Sequence, residues 1–86
     1  MARYLTQHTL ACLTRQGAAE LARRFAAAPE VSAKRSVFNL VEGKMLVEFE
    51  AADRETLERW MAREKIHFDW ILRLEWEFAA GEMKTL

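Results

Sequence analysis

One cysteine, one proline and three glycines stand in 86 residues, and each scarcity excludes something. A lone Cys12 cannot form an intrachain disulfide, so burial alone has to hold the fold, and the expected compartment is the reducing cytoplasm. Glycines at 17, 43 and 81 are too scattered to build a phosphate-cradling loop, which leaves nucleotide binding without sequence support. Net charge is missing too: 13 Lys and Arg balance 13 Asp and Glu, so no overall field draws the chain to nucleic acid or to anionic lipid. No apolar run is long enough to cross a membrane. The segment Met1–His8 is broken by polar residues and reads as neither a signal peptide nor an anchor.

What is present is apolar mass, 51% of the residues, enough for one thin core and no second domain. A single domain over 1–86 is expected, with an ordered part at about 3–78 and a frayed tail at 79–86. The charge balance conceals an asymmetry. Residues 1–41 hold six basic and two acidic groups, and residues 42–86 hold seven and eleven, so the halves carry +4 and −4. Halves that interleave in one sheet can neutralise each other, and a second subunit is the other candidate for that complementarity.

Periodicity orders the elements. Arg3 to Leu13 alternates loosely, as a strand does. Thr14 is placed to cap a helix from Ala18 to about Ala28, which Pro29 stops. Val31–Val41 and Met45–Glu50 flank Glu42-Gly43-Lys44 and read as a hairpin. Asp53 caps a second helix over about 53–65, with Leu57, Trp60 and Met61 on one side and a Glu55–Arg59 pair on the other. From Trp70 to Phe78 apolar and charged residues alternate without a break, which predicts one long strand with Trp70, Leu72, Leu74, Trp76 and Phe78 beneath the helices.

That order predicts an α+β fold of the ferredoxin-like β-α-β-β-α-β type, a four-stranded antiparallel sheet with both helices on one face. The other face is then left open, with Leu46, Glu48, Ile71, Arg73 and Glu75 on it. In element order and strand polarity, residues 3–78 resemble small ferredoxin-like bacterial proteins of the dimeric α+β-barrel class. In that class two such sheets pack face to face, and a cavity between sheet and helices holds a small ligand. The resemblance implies a homodimer through the open face and a small-molecule site. The segment Leu46-Val47-Glu48-Phe49-Glu50 also looks like the third strand of an RNA-recognition module. Alternation puts Lys44 and Leu46, not aromatics, at the base-stacking positions, so no nucleic acid is expected.

Three residue groups carry chemistry. His8 lies on a central strand, where an imidazole can move a proton or bind a metal. Its segment His8–Thr14 resembles the first strand of small ferredoxin-like proteins that bind nickel, although the adjacent histidine seen there is Gln7 here. That makes His8 the candidate catalytic or metal-binding residue, for an isomerase or monooxygenase-like activity or for metal uptake, set against a structural role. Glu48, Arg73 and Glu75 are the candidate ligand-binding set, able to form a polar pocket with His8 if all share the open face, or else an ordinary salt-bridge network. Cys12 and His67 lack the spacing of a zinc site, and no cofactor is expected. Trp60, Trp70 and Trp76 read as core or interface anchors. The expected function is a homodimeric interaction or small-ligand-binding domain, with no reaction assigned.

Overall fold

The computed structural model describes residues 1–11 and 13–86; Cys12 lies outside them. The elements are β1 (Ala2–Thr9), α1 (Arg15–Ala26), β2 (Ser32–Asn39), β3 (Lys44–Ala51), α2 (Arg54–Arg63), β4 (Trp70–Leu74), β5 (Trp76–Ala79) and β6 (Glu82–Thr85). The domain is a small α+β unit with eight elements, and the expected ferredoxin-like β-α-β-β-α-β chain is corrected by that order. After the fourth strand the chain builds two more, and they form a separate two-stranded sheet, β5-β6. The main sheet runs β2-β3-β1-β4, every neighbouring pair antiparallel.

Local chemistry sets the helix ends. Thr14 Oγ1 accepts from Gly17 N–H at 3.0 Å and opens α1, while Asp53 Oδ1 accepts from Thr56 N–H at 2.7 Å and opens α2. Each cap satisfies a backbone donor that has no partner inside its helix. The C-terminus of α2 closes with Ile66 N–H donating to Met61 O at 2.8 Å and Lys65 N–H to Ala62 O at 3.2 Å, with Lys65 at φ +57°. That is a Schellman closure with lysine at the left-handed position that glycine usually fills.

The core lies between the helices and one face of the sheet. Phe25 of α1, Phe49 of β3 and Trp60 of α2 meet with ring centroids 5.4–5.8 Å apart. Met45, Val47, Leu57 and Met61 fill the space around them, all fully buried. Edge-to-face and offset aromatic packing adds roughly 0.5–1.5 kcal/mol per pair to the burial itself. The charge asymmetry is partly spent here, because Arg3–Glu50, Lys34–Glu50 and Arg24–Glu64 each join a base of the first half to an acid of the second. Arg63–Glu30 joins the halves in the opposite sense.

The largest departure from expectation concerns β4. Its register sets Ile71 opposite Thr6 and Trp70 opposite Gln7, and Ile71, 7% exposed, is the residue beneath the helices. Trp70 and Leu72, expected inside, are 39% and 53% exposed. The alternating run from Trp70 to Phe78 is also two strands, interrupted at Glu75. The expected frayed tail is a hairpin strand instead, joined through Ala80 at φ +54° and Gly81 at φ +80°. Two central residues of positive φ give the twist that a two-residue hairpin needs.

Two left-handed positions generate opposite predictions. At Gly43, φ is +69° and an added Cβ would sit 2.6 Å from the Leu10 carbonyl oxygen, so Gly43→Ala is expected to cost at least about 2 kcal/mol. At Lys65 the side chain is already strained, and Lys65→Gly is expected to gain about 1 kcal/mol. Urea unfolding midpoints of the two variants check both signs.

Candidate functional site

The residues singled out for chemistry are not brought together. His8 is 2% exposed and faces the helices, with its ring edge-on to Phe25 at a centroid distance of 5.2 Å. Its Nδ1 lies 2.7 Å from the His67 carbonyl oxygen, and its Nε2 lies 2.8 Å from Thr6 Oγ1. A carbonyl only accepts, so Nδ1 carries the proton, and in the neutral ring Nε2 accepts from the Thr6 hydroxyl. Both nitrogens are thus occupied inside the protein. The ring works as a tie between β1 and the segment that leads from α2 into β4. Burial pushes its pKa below the ordinary histidine value, and the His67 carbonyl and the charge of Asp69 oppose that shift.

Beside this tie, the loop is clamped from the solvent side. Asp69 N–H donates to Gln7 O at 2.7 Å, and Asp69 Oδ2 accepts from Thr9 Oγ1 at 2.6 Å and Gln7 Nε2 at 3.1 Å. Those donors hold the Asp69 carboxyl below the usual carboxylate range. Lys44 Nζ donates to Thr9 Oγ1 at 2.9 Å and completes the chain of polar contacts. No group of three or more His, Cys, Asp or Glu side chains arranged to hold a metal occurs among the described residues.

Glu48, Arg73 and Glu75 occupy three settings. Glu48 is on the uncovered face, in register with Leu5 and Arg35. Arg73 pairs in register with Tyr4, which places it on the helix side of β4, where it is exposed. Glu75 lies in the break between β4 and β5, where its carbonyl accepts from Leu86 N–H at 2.9 Å. Of these three, only Glu48 belongs to the open face. His8 is on the opposite side of the sheet from it.

Leu46 and Glu48 lie on the uncovered face as expected, but Trp70 and Leu72, expected beneath the helices, join them there in place of Ile71 and Arg73. Reading across β2, β3, β1 and β4, one row is Val37, Leu46, Gln7 and Trp70, and the next is Arg35, Glu48, Leu5 and Leu72. Arg3 and Leu74 follow. Cross-strand neighbours stand about 5 Å apart, so these apolar groups form one surface. Val37, Trp70 and Leu72 are 39–53% exposed on it. Leu5, Val37 and Leu46 line a shallow dent of about 170 Å³, with Arg35 and Glu48 at its margin. Arg35 and Glu48 face each other in register, yet no ion pair joins them among the described residues. The inward turn of Tyr4, Thr6 and His8 puts Leu5 on this face, and the β1–β4 register, which no local sequence signal marks, adds Trp70 and Leu72.

No protein-family model, curated protein or solved structure matches the chain. No helix among the described residues is long and apolar enough to cross a membrane.

The His8 tie predicts a pH effect with a definite sign. A histidine whose pKa is lowered in the folded state binds its proton more readily when unfolded. Its contribution is therefore complete above about pH 6.5, the unfolded value, and is lost as pH falls below it. Urea midpoints are expected to drop between pH 6.5 and 5, well before Asp53 and Asp69, whose pKa values are both lowered, begin to protonate. His8→Ala is expected to cost about 2–4 kcal/mol at pH 7.5, from the cavity and the orphaned Thr6 and His67 groups, and to flatten the decline. An imidazole resonance of His8 titrating above pH 6.5 in the folded protein would contradict the assignment.

Proposed function

We propose that the chain is a cytoplasmic homodimerising domain whose uncovered sheet face is the subunit contact. The observation that carries this reading is the continuous apolar surface of Leu5, Val37, Leu46, Trp70, Leu72 and Leu74 on the side of the sheet away from both helices. Contiguous apolar patches on a protein surface mark places where something else packs.

Two features favour a second copy as the occupant. The first is self-complementarity. Arg35 and Glu48 lie side by side without pairing, and a two-fold axis through the face sets each against its opposite on the other subunit. The second is that both blunted edges of the sheet, β2 with its irregularity between Ala33 and Arg35 and the five-residue β4, leave the face and not the edge as the contact surface. The lone cysteine supports the reducing compartment.

Sedimentation equilibrium tests the proposal. The wild type is expected to be a dimer at micromolar concentration, and Leu72→Arg, which puts a charge into the apolar part of the contact, is expected to weaken association at least 100-fold. Leu72 is 53% exposed in the single subunit, so the variant's unfolding free energy should stay within about 0.5 kcal/mol of the dissociated wild-type subunit. A wild type that stays monomeric at 100 µM, roughly a hundred times the micromolar Kd at which modest interfaces form, would refute the reading.

A further inference from the structure

On the helix side of the sheet, away from the proposed subunit contact, a cavity of about 200 Å³ opens at the end of β1. Its inner wall belongs to the core: the rings of His8 and Phe25 meet there edge to face, with Leu10, Leu21 and Ile66 beside them. Toward solvent it is bordered by Arg24 of α1 and by Lys65 and His67 of the segment after α2, all three exposed. Small-molecule sites combine an apolar wall with a few polar groups on one side, and this one is smaller than the roughly 300–1,000 Å³ that drug-sized ligands occupy. It suits a single ring or a short chain.

The polar groups select the charge of the occupant. Those of the inner wall are spent, the two His8 nitrogens on Thr6 and the His67 carbonyl, and the Thr9 hydroxyl between Asp69 and Lys44. Arg24 is held over the opening by Glu64, with Nη2 3.0 Å from the Glu64 carbonyl oxygen and 3.5 Å from its carboxylate. A guanidinium has five N–H donors, so part of that fork is left over. No acid pairs with Lys65 among the described residues. Of the nearby acids, Glu64 is paired with Arg24, and Asp69 is occupied by Thr9 and Gln7. The border is therefore positive, and its two cations can only donate. Such a pair recognises a carboxylate, which a guanidinium can grip through two parallel bonds.

Lys65 supplies an independent sign. At φ +57° it holds the left-handed position that closes α2, which glycine would fill without strain. A strained residue kept beside a cavity, where a relaxed one would serve the fold better, marks a side chain with a task other than folding. We propose that this cavity binds a small monocarboxylate with an apolar body, its ring or chain against Phe25 and Leu21 and its carboxylate between Arg24 and Lys65. The site lies on the opposite side of the sheet from the subunit contact and stands or falls separately from it.

Titration followed by amide NMR tests the proposal, with benzoate, cyclohexanecarboxylate and hexanoate as probes. At least one is expected to shift the amides of Leu10, Lys65 and His67 with a Kd of about 1 mM or tighter. Benzyl alcohol, which keeps the ring and lacks the charge, is expected to bind at least 10-fold more weakly than benzoate. Lys65→Gly removes the cation and relieves the strain together, so it is expected to lose at least 10-fold in affinity while its urea midpoint does not fall, and Lys65→Arg is expected to restore binding. No binding by any of the three acids at 10 mM would overturn the site, as would undiminished affinity in Lys65→Gly. Benzyl alcohol binding as tightly as benzoate, or inorganic phosphate binding there more tightly than all three acids, would overturn its assignment to an apolar carboxylate.

Discussion

The inward turn of Tyr4, Thr6 and His8 decides the rest of the structure. β1 is central and pairs on both sides, so its polarity passes through the registers Tyr4↔Phe49, Thr6↔Val47 and Thr6↔Ile71 to both neighbours. A strand shifted by one residue would send every side chain to the other face. What holds β1 in this phase is an unusual inward set, since two of its three core positions are polar. Thr6 and His8 are affordable there because they satisfy each other, and the remaining imidazole N–H reaches the His67 carbonyl. No buried side-chain nitrogen or oxygen lacks a partner among the described residues. An unmade bond at that depth would cost about 1–3 kcal/mol.

The same tie places the second half of the chain. His67 and Asp69 flank Phe68, which packs against the core, and their bonds to His8, Gln7 and Thr9 fix where β4 begins along β1. With Asp69 tied by its backbone to Gln7, Ile71 falls opposite Thr6 and turns inward. Trp70 and Leu72 then have no choice but the uncovered face. The exposure of two large apolar side chains is thus a consequence of satisfying a buried histidine.

This coupling explains which parts of the molecule were legible in the sequence. The helices were, because Thr14 and Asp53 are strong local caps and Phe25, Leu57, Trp60 and Met61 repeat at helical spacing. So was the inward side of β3, where Met45, Val47 and Phe49 leave one plausible phase. The polarity of β4 was not, since alternation states that two faces differ and not which of them meets the helices. Apolar mass pointed to Trp70 and Leu72, and a bond sixty residues away in sequence, Thr9 to Asp69, decided for Ile71. The end of the long alternating run was hidden for a related reason. Ala80-Gly81 is a weaker turn signal than Asn-Gly, and nothing local marks Glu75 as a break. The candidate site was misplaced by the same error, because a face assigned from β4 alone gathers Arg73 and Glu75, whereas the face set by β1 gathers Leu5, Trp70 and Leu72.

The sheet treats its edges and its open face differently. Edge strands invite pairing with other chains, and proteins blunt them with charge and with bulges. β2, one edge, carries Lys34 and Arg35 and a register irregularity between Ala33 and Arg35. β4, the other, is five residues long and bears Arg73. Both edges are therefore poor templates for adding strands. The open face mixes its residues differently: Leu5 is in register with Leu72 on one side and Glu48 on the other, Leu46 lies one row away opposite Gln7, and the charges of Arg35 and Glu48 are of opposite sign. Edges blunted in this way, beside a face whose charges can neutralise each other, disfavour strand addition more than packing on the face.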